Sequence, residues 1–162
     1  MNATAFNARA IFWLRPDRLY RVYSTRGELF FIRIGGQGGD LGAALGALFG
    51  PLGSLIEARL RRRREAKLRA RVEEVDRIPP EIRAREHRHS FQLSVAQIAE
   101  SQILEPSRVA AHGRHDGRWT FTLQGGESWR FQFENLDDMT LALELLHREL
   151  GDRLKVLSSP AG

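Results

Sequence analysis

There is no cysteine in this chain, so a disulfide framework, a thiolate nucleophile and a thiolate metal site are all excluded, and the composition fits a reducing compartment. Long hydrophobic runs are equally scarce. The uncharged stretch Leu41 to Ile56 would reach only about 24 Å as a helix, against a bilayer core of about 30 Å, and it carries Pro51 and four glycines. It is too short for a lone transmembrane helix. The first residues, MNATAFNARAIFWLRP, have neither the basic start nor the apolar centre of a signal peptide, so no export is expected. Acidic residues are nearly missing from one region: between Arg59 and Arg71, eight basic side chains meet the single acid Glu65. That block is worth +7 in a chain of net charge +5, so the basicity is local and the remainder is slightly acidic.

What is present divides the chain in three. Alternation with period two predicts strands at Ile11 to Leu14, Leu19 to Ser24 and Glu28 to Ile34, broken by the turn chemistry of Arg15-Pro16-Asp17-Arg18 and Thr25-Arg26-Gly27. From Gly35 to about Glu86 the spacing becomes helical, with Leu52, Leu55, Ile56, Leu60, Leu68, Val72 and Val75 recurring at threes and fours until Pro79-Pro80 stops it. Strand periodicity returns at Ser90. Phe91, Leu93 and Val95 alternate with polar neighbours, Ile98 to Leu104 and Arg108 to His112 form a looser stretch, and Trp119 to Leu123 and Trp129 to Phe133 are joined by a Gly125-Gly126 turn. An amphipathic helix ends the chain, capped by Asn135, with Asp137 and Asp138 at its positive end, Met139, Leu143, Leu146 and Leu150 on one face and Gly151 closing it.

The expected architecture is therefore α+β: about seven antiparallel strands curled into a partly open barrel, one C-terminal helix over an open end, and an inserted helical arm. The chain reads as one domain, 1–162, with the insertion at 38–86. Phe30-Phe31-Ile32-Arg33-Ile34-Gly35-Gly36-Gln37 entering the insertion, Ser90-Phe91-Gln92-Leu93-Ser94-Val95-Ala96-Gln97-Ile98 leaving it, and the Trp129 hairpin with its following helix resemble the pleckstrin-homology-like superfold. The resemblance is closer to bacterial pleckstrin-homology-like domains of unknown function with a glycine-rich insertion after the third strand. It implies an interaction module rather than an enzyme, and it raises binding of a phosphorylated headgroup near Arg15, Arg18 and Arg21 at the first turn. That loop is very short and lacks lysine, so solvated turn residues are the favoured reading there.

Each candidate chemistry has a bland counterpart. Gly36-x-Gly38 looks like a phosphate loop but lacks a third glycine and any following Gly-Lys-Ser/Thr, and antiparallel hairpins do not supply the parallel unit such a loop needs. His87 and His89 alternate at the start of the expected strand, and His112 and His115-Asp116 share a turn, but no further ligand is fixed beside either pair. No metal, cofactor or catalytic residue is expected, and Gly53-Ser54 is not a nucleophile elbow. Trp13, Trp119 and Trp129 read as core anchors.

The insertion carries the functional expectation. Gly42, Gly46, Gly50 and Gly53, at spacings of four, four and three, would form a smooth stripe for close backbone approach, and Pro51 would start a separate helix at Leu52. With Leu41, Phe49, Leu52 and Ile56 they form a candidate surface for membrane attachment or self-association as a homo-oligomer; the competing reading is a loop packed loosely on its own sheet. Arg59, Arg61, Arg62, Arg63, Arg64, Lys67, Arg69 and Arg71 form the candidate anion-binding set, since only Leu60 and Leu68 among them could be covered by the core. An anionic membrane surface or a protein partner is the expected ligand, at the cytoplasmic face of a membrane. A nucleic-acid or acidic-protein binder using the basic helix alone is the alternative, although no aromatic side chain in the block can stack on bases.

Overall fold

The computed structural model describes residues 5–12, 16–36, 41–106 and 116–158, and for residues 41–57 the course of the backbone only. In chain order the elements are β1 (Ala5–Ala10), β2 (Arg18–Thr25), β3 (Glu28–Gly35), α1 (Leu41–Asp76), α2 (Pro80–Glu86), β4 (Phe91–Ser94), β5 (Ile98–Leu104), β6 (Arg118–Leu123), β7 (Ser128–Phe133), α3 (Leu136–Leu150) and β8 (Leu154–Leu157). The fold is α+β. Its strands form one sheet in the order β4-β3-β2-β1-β7-β6-β5-β8, with no pairing that closes it into a barrel among the described residues.

Aromatic packing shows how strongly the sheet curls. Phe31 on β3 and Trp119 on β6 are four positions apart in strand order, about 19 Å in a flat sheet, yet their rings stack at 6.0 Å between centroids. One core therefore fills the inside of the bend, built from Phe6, Tyr20, Val22, Leu29 and Phe31 on one limb and Ile98, Ile103, Trp119, Phe121, Phe131 and Phe133 on the other. Trp119 Nε1 donates to Ser101 Oγ at 2.9 Å, which satisfies the one polar atom of this fully buried ring. Helix α3 closes the bend with Ala142, Leu145, Leu146 and Leu150 buried and Met139 and Leu143 partly so, and Asn135 caps it by accepting from Asp138 N–H at 2.8 Å. Gly117 sits beneath this helix at φ +107, where an added Cβ would come within 2.7 Å of Met139 Sδ. Only glycine fits both that backbone and that contact.

Several expectations need correction. The first strand is Ala5–Ala10, not Ile11 to Leu14: Phe6, Ala8 and Ala10 alternate inward and register with β2 and β7, whereas Ile11 makes a last ladder bond to Arg130 O and Phe12 turns onto Trp129. Trp13, Leu14 and Arg15, like Arg108 to His115, lie outside the described residues. Among the described residues there are eight strands rather than seven, and β8 runs parallel to β5. That strand follows Gly151, which closes α3 as expected, and Arg153 holds its entry by donating to the carbonyls of Val95 and Ile98, both at 3.0 Å. Val95 is buried in a 3-10 turn after β4 instead of extending the strand.

The insertion also differs. Helix α1 is continuous over 36 residues, passing through Pro51 rather than restarting at Leu52, and it ends at Asp76. Its end falls just before Pro79 and Pro80, in keeping with the expected stop at these prolines. They begin α2, where a ring-fixed φ and a missing N–H cost nothing. His87 and His89 accordingly lie in the turn after α2 and not on a strand.

Candidate interaction site along the long helix

The sheet limb formed by β1, β2 and β3 is buried on both faces. Tyr20, Val22, Leu29 and Phe31 point into the core, while Ala5, Leu19, Tyr23, Phe30, Ile32 and Ile34 form a second cluster on the outer face. The unbroken run Leu29-Phe-Phe-Ile32 reports this, because a strand with one wet face would alternate strictly. What covers the outer face is the C-terminal end of α1: Leu68, Val72 and Val75, at spacings of four and three, lie on it together with Ala84 of α2. Val75 is fully buried.

A polar latch fixes this docking. Arg21 donates to both carboxylate oxygens of Asp76, Nε to Oδ1 at 3.1 Å and Nη2 to Oδ2 at 3.0 Å, and Tyr23 donates its hydroxyl to Oδ1 in a short hydrogen bond. Burial opposes the Arg21 charge, but Asp76 outweighs it and the guanidinium is held more firmly protonated than usual. Burial, followed by Asp76, pushes the Tyr23 hydroxyl well above its ordinary range, so it acts as a donor at any physiological pH. The latch continues inward, with Arg21 Nη1 donating to Asn7 Oδ1 at 3.3 Å and the Asn7 backbone N–H donating to Asp138 Oδ1 at 2.7 Å. Burial raises the Asp138 pKa while that N–H works against the rise. The end of the long helix is thus joined through β1 and β2 to the cap of α3. Arg21, read from sequence as a headgroup candidate, is spent here, and Arg18 lies over the Phe12 ring at 5.5 Å.

Beside the latch, Arg71 pairs with Glu74 and reaches His87 Nε2. Arginine can only donate, so Nε2 accepts and the imidazole is neutral with its proton on Nδ1. Burial, then the nearby Arg71 and Arg83 charges, lowers the His87 pKa; Arg71 likewise holds Glu74 below the usual carboxylate range.

Toward the N-terminus of α1 the contacts thin out. Arg59, Arg61, Arg62, Arg63, Arg64, Lys67 and Arg69 are all exposed, and among the described residues none of the seven makes an ion pair; Arg71 alone of the eight expected anion ligands is neutralised. Between the helix and the edge of the outer cluster lies a cleft of about 870 Å³. Its helical wall carries Arg61, Arg64, Lys67 and Arg71, its floor Leu19, Ile34 and Leu68, and its far wall Arg9 and Glu134, which form a two-bond ion pair at 2.9 and 3.1 Å. Arg9 and Glu134 were not among the residues singled out from sequence; 125 positions apart, they meet only because β1 registers with β7.

No family model and no curated protein matches this chain. The remaining site expectations divide accordingly. Leu41, Gly42, Gly46, Phe49, Gly50, Leu52, Gly53 and Ile56 lie on the helical backbone of α1, but their side chains fall outside the described residues. No helix among the described residues is long and apolar enough to cross a membrane. Nor do three histidine or carboxylate side chains gather into a metal site among them.

Proposed function

We propose that this chain is a non-enzymatic interaction module of pleckstrin-homology-like architecture that attaches to an anionic membrane surface through α1. The observation carrying this reading is the row of seven exposed cationic side chains, Arg59 to Arg69, which make no ion pair among the described residues, on a helix whose other end is latched to the sheet. Each such charge near an anionic surface is worth up to about 1 kcal/mol, and the apolar run Leu41 to Ile56 on the same helix would supply the second anchoring signal. The succession β4-β3-β2-β1-β7-β6-β5 of antiparallel strands with a helix over the open bend supports the pleckstrin-homology-like assignment. The cleft, with a described lining of arginine, lysine, glutamate, glycine and aliphatic side chains and a positive excess, supports a site that holds an anion.

Flotation with phosphatidylcholine vesicles and with vesicles containing phosphatidylglycerol tests this. Binding only to the anionic vesicles, weakened as salt shortens the Debye length, is the expected result. Indifference to both, with tight binding to RNA or DNA instead, would transfer the helix to the nucleic-acid reading.

A further inference from the structure

We infer that the cleft between α1 and the outer face of the sheet is a binding site for one anionic amphiphile: a single phosphate or carboxylate headgroup carrying a hydrocarbon chain. The inference goes beyond surface attachment, since it gives the two faces of α1 different roles.

Charge within the cleft is unbalanced. Arg9 is neutralised by Glu134 and Arg71 by Glu74, so among the described lining residues Arg61, Arg64 and Lys67 remain against Glu65, a surplus of two positive charges on one wall. The spacing Arg61, Arg64, Leu68, Arg71 places these side chains on the helical face that turns toward the sheet. Arg62 and Arg69 lie on the opposite face, where with Ala66 and Glu73 they border a separate, shallower depression. The cleft floor is aliphatic: half-buried Leu68 and exposed Ala70 present its apolar surface, and Leu19 and Ile34, only 4% and 8% exposed, form its base at the margin of the outer cluster. Inorganic phosphate or a nucleic-acid backbone would use the cationic wall and leave the apolar lining unused; a neutral lipid would use that lining and leave the surplus of two positive charges unmatched. A headgroup with a chain satisfies both, and about 870 Å³ suits one such molecule, because small-molecule pockets span about 300–1,000 Å³.

Two charge-matched triple variants separate the cleft from the helix at large. Arg61→Gln, Arg64→Gln, Lys67→Gln empties the cationic wall, and Arg59→Gln, Arg62→Gln, Arg69→Gln removes the same charge elsewhere on α1 while keeping its helix propensity. Circular dichroism and thermal melting confirm that both fold. Calorimetric titration then uses dodecyl phosphate below its aggregation concentration, inorganic phosphate and dodecyl maltoside.

The parent chain is expected to bind dodecyl phosphate one to one, and phosphate or the maltoside at least about tenfold more weakly. The cleft triple is expected to lose about tenfold or more in affinity for dodecyl phosphate, and the control triple less than about threefold. Absence of a saturable one-to-one site, equal losses in the two triples, or equal affinity for inorganic phosphate would each overturn the inference. Flotation of the same variants identifies the source. Selective loss of vesicle binding in the cleft triple means a lipid drawn from the bilayer, while equal vesicle binding by the two triples means a free amphiphile. The surface-attachment reading fails separately, when the parent chain ignores anionic vesicles even though it binds the monomeric probe.

Discussion

Among the described residues, removing the Asp76 carboxylate would leave Arg21, whose side chain is only 16% exposed, with Asn7 Oδ1 as its one hydrogen-bond acceptor and would take from Tyr23 the acceptor of its hydroxyl. A charge-assisted pair of this kind is worth about 1.5–3 kcal/mol when buried, and the partial exposure of Asp76 reduces that. Asp76→Ala is expected to cost about 1–2 kcal/mol in chemical denaturation and to speed amide exchange in the last turns of α1 first. Unchanged stability and exchange would mean that the apolar contacts of Val72 and Val75 hold the helix unaided. His87 adds a pH dependence. Its pKa is lowered in the folded chain, so the unfolded chain takes up the proton first, and stability falls as pH drops below the ordinary value of 6.5 toward the lowered one. His87→Gln keeps an acceptor for Arg71 without titrating, and it should flatten the melting temperature between pH 7 and 5 relative to the parent. An equally steep fall in the variant would assign the dependence to groups other than His87, and not to Glu74, whose lowered pKa acts only below its ordinary 4.5 and so outside this window. None of these partnerships was legible from sequence: Tyr23 and Asp76 are 53 positions apart, and nothing in the local pattern links a strand tyrosine to a helix-terminal aspartate.

Among the elements, α3 was the most legible, because a helix on a sheet edge has one period, one buried face and recognisable caps. Asn135 and Leu146 take the expected roles, whereas Leu145, fully buried, was overlooked because the buried stripe is wider than a single file of threes and fours. Leu146→Ala is expected to cost about 2–5 kcal/mol and Leu141→Ala, at a position 37% exposed, under about 1 kcal/mol, measured by urea denaturation. Equal losses at the two positions would show that α3 sits in another phase. The first strand was misplaced for an instructive reason. Ile11-Phe-Trp-Leu14 has the composition of a strand, but Phe6, Ala8 and Ala10 have the pairing, and two small alanines under the core do not announce themselves in hydrophobicity.

For the whole molecule, the insertion is neither a dispensable arm nor part of the central core. Its basic stretch is free of the sheet, whereas Leu68, Val72, Val75 and Ala84 form the roof of the outer cluster. Gly36 and Glu65 line the same cleft, so a short Gly/Ser linker can replace residues 38–64, and loop closure adds little because its entropy grows only with the logarithm of length. That truncated protein is expected to remain soluble with a cooperative melt. Extending the deletion to residue 85 uncovers Tyr23, Phe30, Ile32 and Ile34 and should give dye-binding, aggregating material. A soluble, cooperatively folded product from the longer deletion would show that the roof is optional. The boundary between the two parts was only half visible beforehand: charge marks where α1 is wet, but the use of Val72 and Val75 depends on β2 and β3 having two apolar faces.

The pairing of β1 with β7 bears on how the chain is made as well as on how it stands. Ala8 lies opposite Phe133, so the seam joining the two limbs of the sheet cannot form until the residues through Phe133 have left the ribosome. Until then β1, β2 and β3 can form their meander, and α1 can roof its outer side, but Phe6, Tyr20 and Phe31 have nothing to face. At about 5–20 residues per second, the roughly one hundred residues between β3 and the end of β7 keep that aromatic surface bare for about 5–20 seconds during each round of synthesis. Chaperone dependence should therefore peak for nascent chains stalled after β3 and vanish once β7 has emerged.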